Sequence, residues 1–422
     1  MIIVPLGVAS ATPTATRHLS SVALWREGST YLFDCGENTQ MRMLQAGMKR
    51  SKIDCVFISH FDTDHYNGLI GLLSTLQLQR RERKITLVGP EGLQKFVEWN
   101  FDFADVDITF PIEYVEVEEG FDHEVVVDEE EFYVDARPLE HSKFCIGYRF
   151  QEKDKPGKVD AEKAKSLGIS EDWQYKDLKA GKDVTLEDGT VIKSTDIVGY
   201  PRPGDSFAYV TDTEYCRNSV KLALNSNVLY HEATFGSSLK DKARETGHST
   251  AEDAARVANE AKTKLLVITH FSARYTNQYV LLREARNNFH PTWVATELRP
   301  IMTDPSHEKG IIQPTVSIKE LNYNNGKKKY NKGRNKKYSG KKRKPRKKFR
   351  KRRKHKSKSS GSSSNYRGKS SRSRSSSKSG SSKRYNKSDR YSKKRNNKDR
   401  NDDQRKPKPI TPRTPFDDFD RF

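Results

Sequence analysis

Residues 53–73 read IDCVFISHFDTDHYNGLIGLL, and this stretch decides the fold. Its apolar run at 55–58 predicts a buried strand, and the apolar spacing over 69–76 predicts a helix. Between the two lie side chains of the metal-ligand type, which are His60, Asp62, Asp64 and His65. An acidic loop this compact would repel itself without a cation. The stretch therefore predicts a strand-to-helix loop that binds divalent metal.

Charge divides the chain into two parts. Residues 1–320 contain 38 Lys and Arg against 49 Asp and Glu, a net charge of −11. Residues 321–422 contain 40 Lys and Arg against 7 Asp and Glu, a net charge of +33. The segment 323–422 has almost no aliphatic side chains, so it is expected to be disordered and to bind phosphate backbones through its positive charge. The remainder predicts a mildly acidic globular body.

The cysteines and the first residues of the sequence indicate the cellular compartment in which the protein is expected. Four cysteines are scattered without a CxxC pair, which is typical of free thiols in a reducing compartment. The start, MIIVPLG, lacks the pattern of a signal peptide, and no apolar stretch approaches the roughly 20 residues of a membrane span. We expect a soluble, cytoplasmic protein without a membrane partner.

Further acids and histidines follow predicted strands along the chain. Strands alternating with helical segments predict a layered α/β fold, in which strand ends share one edge. The ends carry His141, Asp212, Glu232 and His270. With the loop, the candidate metal ligands are His60, Asp62, Asp64, His65, His141, Asp212 and His270, and seven ligands are too many for one metal. The set predicts two metals with one bridging acid and hydrolytic chemistry.

Two other segments carry specific expectations. His248 is a candidate proton donor to a leaving oxygen, and Glu232 is a candidate for orienting it. The helix after His248 is predicted to begin with a capping box of Ser249 and Glu252. Residues 151–205 change to a composition rich in lysine, acids and turn signals, which predicts an inserted, flexible arm.

Several motifs together resemble one family. They are FDCGENTQ at 33–40, the loop at 60–65, GPEG at 89–92, PLEH at 138–141, HEAT at 231–234, GHS at 247–249 and THFSARY at 269–275. In this order they resemble tRNase Z (ribonuclease Z) of the metallo-β-lactamase superfamily, over roughly residues 1–300. The resemblance implies an αββα sandwich as the catalytic domain, residues 1–305, with a tRNA-binding arm at 151–205 and the tail outside it.

The resemblance also implies roles for the site residues. His60, Asp62, His141 and Asp212 would bind one metal, and Asp64, His65, Asp212 and His270 the other. Asp64 would be the general base, and the Glu232–His248 pair would assist departure of the ribose 3′ oxygen. The implied reaction removes the 3′ trailer of precursor tRNA and leaves a 3′-hydroxyl. The implied assembly is a homodimer.

Position 62 departs from the family. The usual pattern is H-x-H-x-D-H, and Asp62 replaces its second histidine. Zinc is the expected metal, but a carboxylate hardens the site and makes manganese or iron possible. Two alternatives stay open: another metallo-β-lactamase-type phosphodiesterase, and a structured-RNA-binding protein whose catalysis is impaired by Asp62.

Overall fold

The computed structural model describes residues 1–303 and 310–314, so the predicted tail at 323–422 lies outside the described part. The strands are β1 Ile2–Gly7, β2 Ser21–Arg26, β3 Ser29–Phe33, β4 Ile53–Phe57, β5 Ile85–Pro90, β6 Ile112–Val117, β7 Glu124–Asp128, β8 Phe132–Leu139, β9 Cys145–Glu152, β10 Val184–Thr185, β11 Val191–Ile192, β12 Ser206–Val210, β13 Val228–Glu232, β14 Leu266–Thr269, β15 Thr292–Val294, β16 Ile301–Thr303 and β17 Ile311–Ile312. The helices are α1 Thr39–Ala46, α2 Thr63–Tyr66, α3 Leu69–Leu78, α4 Leu93–Phe103, α5 Ala161–Ser166, α6 Asp172–Lys179, α7 Ser194–Ile197, α8 Arg217–Ala223, α9 Lys240–Glu245, α10 Ala251–Glu260 and α11 Tyr279–Asn288.

Most strands belong to two mixed sheets. The first has the order β17-β16-β1-β2-β3-β4-β5-β6, and the second has the order β15-β14-β13-β12-β9-β8-β7. Strands β3 to β6 are parallel to one another, and so are β12 to β15. Helical connections between these parallel strands follow from geometry, because a parallel pair needs a crossover.

The two sheets pack face to face through alternating side chains. Val22 and Leu24 of β2 point into the core between the sheets, whereas Ala23 between them faces the opposite layer. Phe33 of the first sheet stacks on Phe57 at 4.7 Å and meets Phe207 of the second sheet at 5.3 Å. A fully buried side chain of this size contributes about 1.5–3 kcal/mol.

Helices cover both outer faces. The first sheet packs against apolar residues of α1, α3 and α4. The second sheet packs against α8, α10 and α11, whose small residues Ala251, Ala254 and Ala258 let α10 approach closely. The αββα sandwich expected from the sequence is confirmed.

The elements predicted around the ligand-rich loop are present, whereas one predicted helix cap is not. The strand predicted at 55–58 is β4, and the helix predicted at 69–76 is α3. The capping box predicted for Ser249 and Glu252 is wrong by one position. Thr250 caps α10 together with Asp253, because the Ser249 hydroxyl instead donates to the Thr213 carbonyl oxygen at 2.6 Å.

The insertion leaves and re-enters the second sheet at neighbouring antiparallel strands, β9 and β12. Since β9 extends to Glu152 and β12 begins at Ser206, the insertion spans residues 153–205. It contains α5, α6, α7 and the β10–β11 hairpin around its own apolar cluster. The cluster consists of Ala164, Ile169, Leu178, Val184, Ile192 and Ile197. None of the described helices is both long and apolar enough to span a bilayer.

Candidate metal centre

The carboxyl ends of the parallel strands meet at one edge of the sandwich. Asp34 follows β3, His60 follows β4 after two residues, Asp212 follows β12 and His270 follows β14. Glu232 is the last residue of β13. Strand ends in open α/β layers converge at such an edge, so side chains far apart in sequence become neighbours here.

The ligand-rich loop between β4 and α2 lies unusually close to the loop after β3. A Cβ atom on Gly36 would lie 2.5 Å from the Asp64 carbonyl oxygen. A Cβ atom on Gly68 would lie 2.2 Å from the Gly36 carbonyl oxygen. Glycine is required at both positions because any side chain would push the two loops apart.

The predicted ligands form two groups. The first ligand group is His60, Asp62 and His141, and the second ligand group is Asp64, His65 and His270. In the first, Asp62 Oδ2 lies 3.4 Å from Nε2 of both histidines. In the second, Asp64 Oδ2 lies 3.3 Å from His65 Nε2 and 3.5 Å from His270 Nε2.

Asp212 faces both groups at once. Its Oδ1 lies 3.2 Å from His270 Nε2 and 3.4 Å from His65 Nε2. Its Oδ2 lies 3.7 Å from His60 Nε2. One oxygen directed at each group is the arrangement that a bridging carboxylate requires.

All four histidines use Nδ1 for a partner outside the cluster. His65 Nδ1 lies 2.6 Å from Asp34 Oδ2, and His141 Nδ1 lies 2.8 Å from the Gly247 carbonyl oxygen. Both acceptors require a proton on Nδ1, so in the neutral ring Nε2 presents a lone pair to the cluster.

Hydroxyl groups fix the Nδ1 proton of the other two histidines in the same way. Ser59 Oγ donates to Asp34 Oδ2 at 2.9 Å and therefore accepts from His60 Nδ1 at 2.9 Å. Thr234 Oγ1 donates to Glu232 Oε2 at 2.7 Å and therefore accepts from His270 Nδ1 at 3.0 Å. Every imidazole thus keeps its Nδ1 proton on an acceptor, and the neutral form of each ring can bind metal through Nε2.

These residues fit a divalent metal. Among the described residues, Nε2 of His60, His65 and His270 is buried without a hydrogen-bond partner, although carboxylate oxygens lie 3.2 to 3.7 Å away. A buried polar atom without a partner costs about 1–3 kcal/mol, which a metal bond would remove. Imidazole and carboxylate donors suit zinc, manganese or iron.

The acids of the cluster are held in the charged form. Burial raises the pKa of Asp64, but the neighbouring His65 and His270 outweigh it and lower that pKa well below the usual range. Burial also raises the pKa of Asp212, but His270 and His65 outweigh this effect and lower that pKa well below the usual range. Charged carboxylates are the form that a metal needs.

Glu232 and His248 form a hydrogen-bonded pair beside this cluster. His248 Nδ1 lies 2.9 Å from Glu232 Oε1 and 3.9 Å from Asp212 Oδ2. Glu232 also accepts hydrogen bonds from the Thr213 and Thr234 backbone N–H groups, both at 3.0 Å. Burial alone would lower the pKa of His248, but the charge of Glu232 raises it above the usual value. The imidazole is therefore oriented and ready to carry a proton.

Sequence reasoning missed three residues of the site. Asp34 is fully buried and accepts from the Ser59 backbone N–H at 2.8 Å and from the Tyr209 hydroxyl at 2.7 Å, in addition to His65. Its place at a strand end was the signal that could have identified it. Thr234 and Lys143, which contacts Asp62, carried no comparable signal in the sequence.

Distant motifs are joined behind the site. The buried Arg17 guanidinium donates to the carbonyl oxygens of Phe271, Ser272 and Ala273 at 3.2 to 3.5 Å. The backbone N–H of Ala11, from the loop that carries Arg17, donates to Asp64 Oδ2 at 2.9 Å. This loop therefore positions the carboxylate of the second ligand group.

Three comparisons identify known proteins that this chain resembles. The family model of the anti-Pycsar protein Apyc1 matches residues 1–105. Ribonuclease Z of Salinibacter ruber is 42% identical over 308 residues, which are 73% of this chain and 96% of that protein. Ribonuclease Z of Bacillus licheniformis is 42% identical over 279 residues, 65% of this chain and 90% of that protein.

A solved structure agrees with these relatives. The crystal structure of the short form of human tRNase Z is 26% identical, covers 72% of this chain and 99% of its own, and has a TM-score of 0.52. The sandwich, the shared strand-end site and the extent of identity are consistent with one another. The chain therefore has the metallo-β-lactamase fold and belongs to the ribonuclease Z family.

Proposed function

We propose that the protein is an endoribonuclease that removes the 3′ trailer of precursor tRNA by hydrolysis of one phosphodiester bond. The relatives named ribonuclease Z and the tRNase Z structure support this substrate. The observation that carries the proposal is the placement of the Glu232–His248 pair beside two ligand groups that share Asp212. A protein that only bound RNA, without cleaving it, would not need such a pair.

Two divalent metals would be held by the two ligand groups, with Asp212 between them. Zinc is the proposed metal, with manganese or iron as alternatives because of Asp62. When bound, the metals supply Lewis-acid stabilisation of the charge that develops on the phosphate. The fixed Nδ1–H tautomers mean that the histidines need no rearrangement to bind them.

Asp64 would orient the attacking water and accept its proton. Its Oδ2 is held by the Ala11 N–H at 2.9 Å and faces His65 and His270 of the second ligand group. Its low pKa keeps it charged, and only a charged carboxylate can accept a proton. Water then forms the new bond to phosphorus.

His248 would protonate the leaving ribose 3′ oxygen. The bond from phosphorus to that oxygen breaks, and the electron pair on the oxygen takes the proton of the imidazolium. Glu232 holds the ring through Nδ1, so the opposite nitrogen is free to donate. The products are a tRNA with a 3′-hydroxyl and a trailer with a 5′-phosphate.

The insertion at 153–205 would be the tRNA-binding arm, inserted within the catalytic domain that we expect at residues 1–305. It folds around its own apolar cluster and exposes Trp173 by 55% and Tyr200 by 95%. Exposed aromatic rings can stack on unpaired bases. We also propose a homodimer, and a cytoplasmic location to which the four buried free cysteines are suited.

The test is cleavage of an end-labelled precursor tRNA with zinc and then with manganese. We expect a single cut that requires metal and leaves a 3′-hydroxyl, with the metal content of the purified protein measured separately. Light scattering after gel filtration tests the dimer. Absence of any cut with either metal, in protein that contains metal, would overturn the proposal.

One observation favours a second candidate. Lys143 contacts the Asp62 carboxylate, and an oxygen held by a lysine is less available to a metal, which would impair catalysis. In that case the chain would bind structured RNA without cleaving it. RNA affinity retained in the wild type together with complete absence of cleavage would favour this alternative.

A further inference from the structure

The Asp62 carboxylate has two different surroundings. Its Oδ2 lies 3.4 Å from Nε2 of His60 and of His141, inside the first ligand group. Its Oδ1 is in contact with Lys143 Nζ, which also lies 3.4 Å from the Phe61 carbonyl oxygen. One oxygen therefore faces the metal position, and the other is held by an ammonium group.

Lys143 reaches this position from the turn that also supplies His141. The turn joins β8, which ends at Leu139, to β9, which begins at Cys145. The same short segment thus delivers a ligand and a cation to the first ligand group. Lys143 keeps 55% of its side chain exposed, whereas Asp62 keeps 30%.

Among the described residues, the ion pairs of Asp62 are with His60, His141 and Lys143. Both histidines are needed neutral if they are to bind metal, so Lys143 is the permanent positive charge next to Asp62. A carboxylate and an ammonium group together carry no net charge. A neutral imidazole, the ligand usual at position 62 in this family, also carries none.

We propose that Asp62 and Lys143 act as one neutral metal-binding unit, in which Lys143 is a positioning residue. Its ammonium group cancels the extra negative charge of Asp62 and leaves only Oδ2 free for the metal. The inference rests on the proposed metal centre and adds to it the control of metal affinity at the first ligand group. It predicts that replacing Asp62 by histidine alone weakens metal binding, whereas simple restoration of the family's usual ligand would strengthen it.

Coulomb's law gives the direction in which each substitution changes the metal affinity. Removal of the lysine charge alone leaves the site more negative, so a divalent cation should bind more tightly. Replacement of Asp62 by histidine alone leaves an uncompensated ammonium group beside the metal, so the cation should bind more weakly. Both changes together restore neutrality.

The experiment is metal titration in competition with a chromophoric chelator, using zinc and the metal-free full-length protein. The variants are Lys143→Met, Lys143→Arg, Asp62→His and the double variant. We expect about three- to tenfold tighter binding at one site for Lys143→Met and a similar weakening for Asp62→His, since exposure screens the charge. Lys143→Arg and the double variant should remain close to the wild type.

Lys84→Met is the matched control. Lys84 is 58% exposed and also pairs with one acid, Glu113, but it precedes β5 at the end of the sheet away from the site. It should leave zinc affinity unchanged. Thermal melts of all variants report whether each one is folded.

The outcomes separate the two proposals, because the titration involves no RNA. Two-site zinc binding in which Asp62→His tightens the affinity, or in which Lys143→Met weakens it or behaves as Lys84→Met, would overturn the neutral unit alone. A wild type that binds no metal would overturn the metal centre of the proposed function, and this inference with it.

Discussion

The strand-end site and the inserted arm differ in how they use charge and burial. At the site, acids and histidines are packed almost without solvent, and His60, His65 and Glu232 are completely buried. In the arm, a cluster of six apolar residues supports a largely exposed, highly charged surface. Buried charge needs a rigid frame that offsets its desolvation, which the sandwich supplies. The arm has no such frame and is suited to contact rather than chemistry.

The sharpest test of this contrast is Asp64→Ala. We expect cleavage of precursor tRNA to fall at least about a thousandfold, because the variant loses both a ligand and the proton acceptor. Binding of the uncleaved tRNA should change little, since the arm is intact. Single-turnover cleavage and filter binding measure the two effects. Equal loss of binding and cleavage would contradict the division of labour.

His248→Ala should have the next largest effect. Turnover is expected to fall about a hundredfold with little change in KM, because the proton donor acts only as the bond breaks. The matched control is His123→Ala, whose ring lies on the surface and pairs with Asp135 at 2.9 Å. A precursor tRNA whose 3′ leaving atom at the scissile bond is a better leaving group should recover much of the lost rate, and failure to do so would argue against proton donation.

Removal of the arm tests the other region. The backbones of Lys155 and Arg202 pair through hydrogen bonds of 2.9 and 2.8 Å, so an Asn-Gly turn can replace residues 156–201. We expect KM for precursor tRNA to rise about tenfold to a hundredfold. Hydrolysis of bis(p-nitrophenyl) phosphate should remain unchanged, because this small substrate cannot reach an arm. A parallel loss on both substrates would mean that the arm supports the site itself.

The smallest effect on turnover is expected at the base of the arm. Buried Glu152 accepts from Arg26 Nε at 2.8 Å and from Lys155 Nζ at 2.7 Å, which ties the sheets to the insertion. Glu152→Gln should lower the free energy of unfolding at pH 7 by about 2 kcal/mol, since Glu152 is the buried one of the three acids that pair with Arg26. Cleavage by the folded protein should be nearly unaffected.

The contacts of Glu152 with Arg26 and Lys155 also predict a pH dependence of stability. Burial raises the pKa of Glu152, but Lys155 and Arg26 outweigh it and lower that pKa below the ordinary value. The stabilisation is therefore present above the unfolded value of about 4.3 and is lost as pH falls through the folded value. Urea unfolding of the wild type and Glu152→Gln between pH 7 and 3 should show the difference shrinking once the pH falls below about 4.3. A constant difference would contradict the assignment.

Much of the frame and the ligand list could be predicted from the sequence. Apolar runs and their periodicity are local properties, so β4 and α3 follow from them. The seven candidate ligands could be listed because each follows a predicted strand, although their binding of metal stays a prediction. Local reasoning failed at the cap of α10, where the choice between Ser249 and Thr250 depends on the distant Thr213 carbonyl group.

What the sequence by itself determined is the order of strands, helices and charged strand ends, together with the family that this order indicates. Only the tertiary structure decided the pairings. Asp34 holds His65, Thr234 links Glu232 to His270, and Lys143 contacts Asp62. These partners are 31, 36 and 81 residues apart in the chain. Contacts over such separations depend on how the two sheets pack, which no local pattern of side chains specifies.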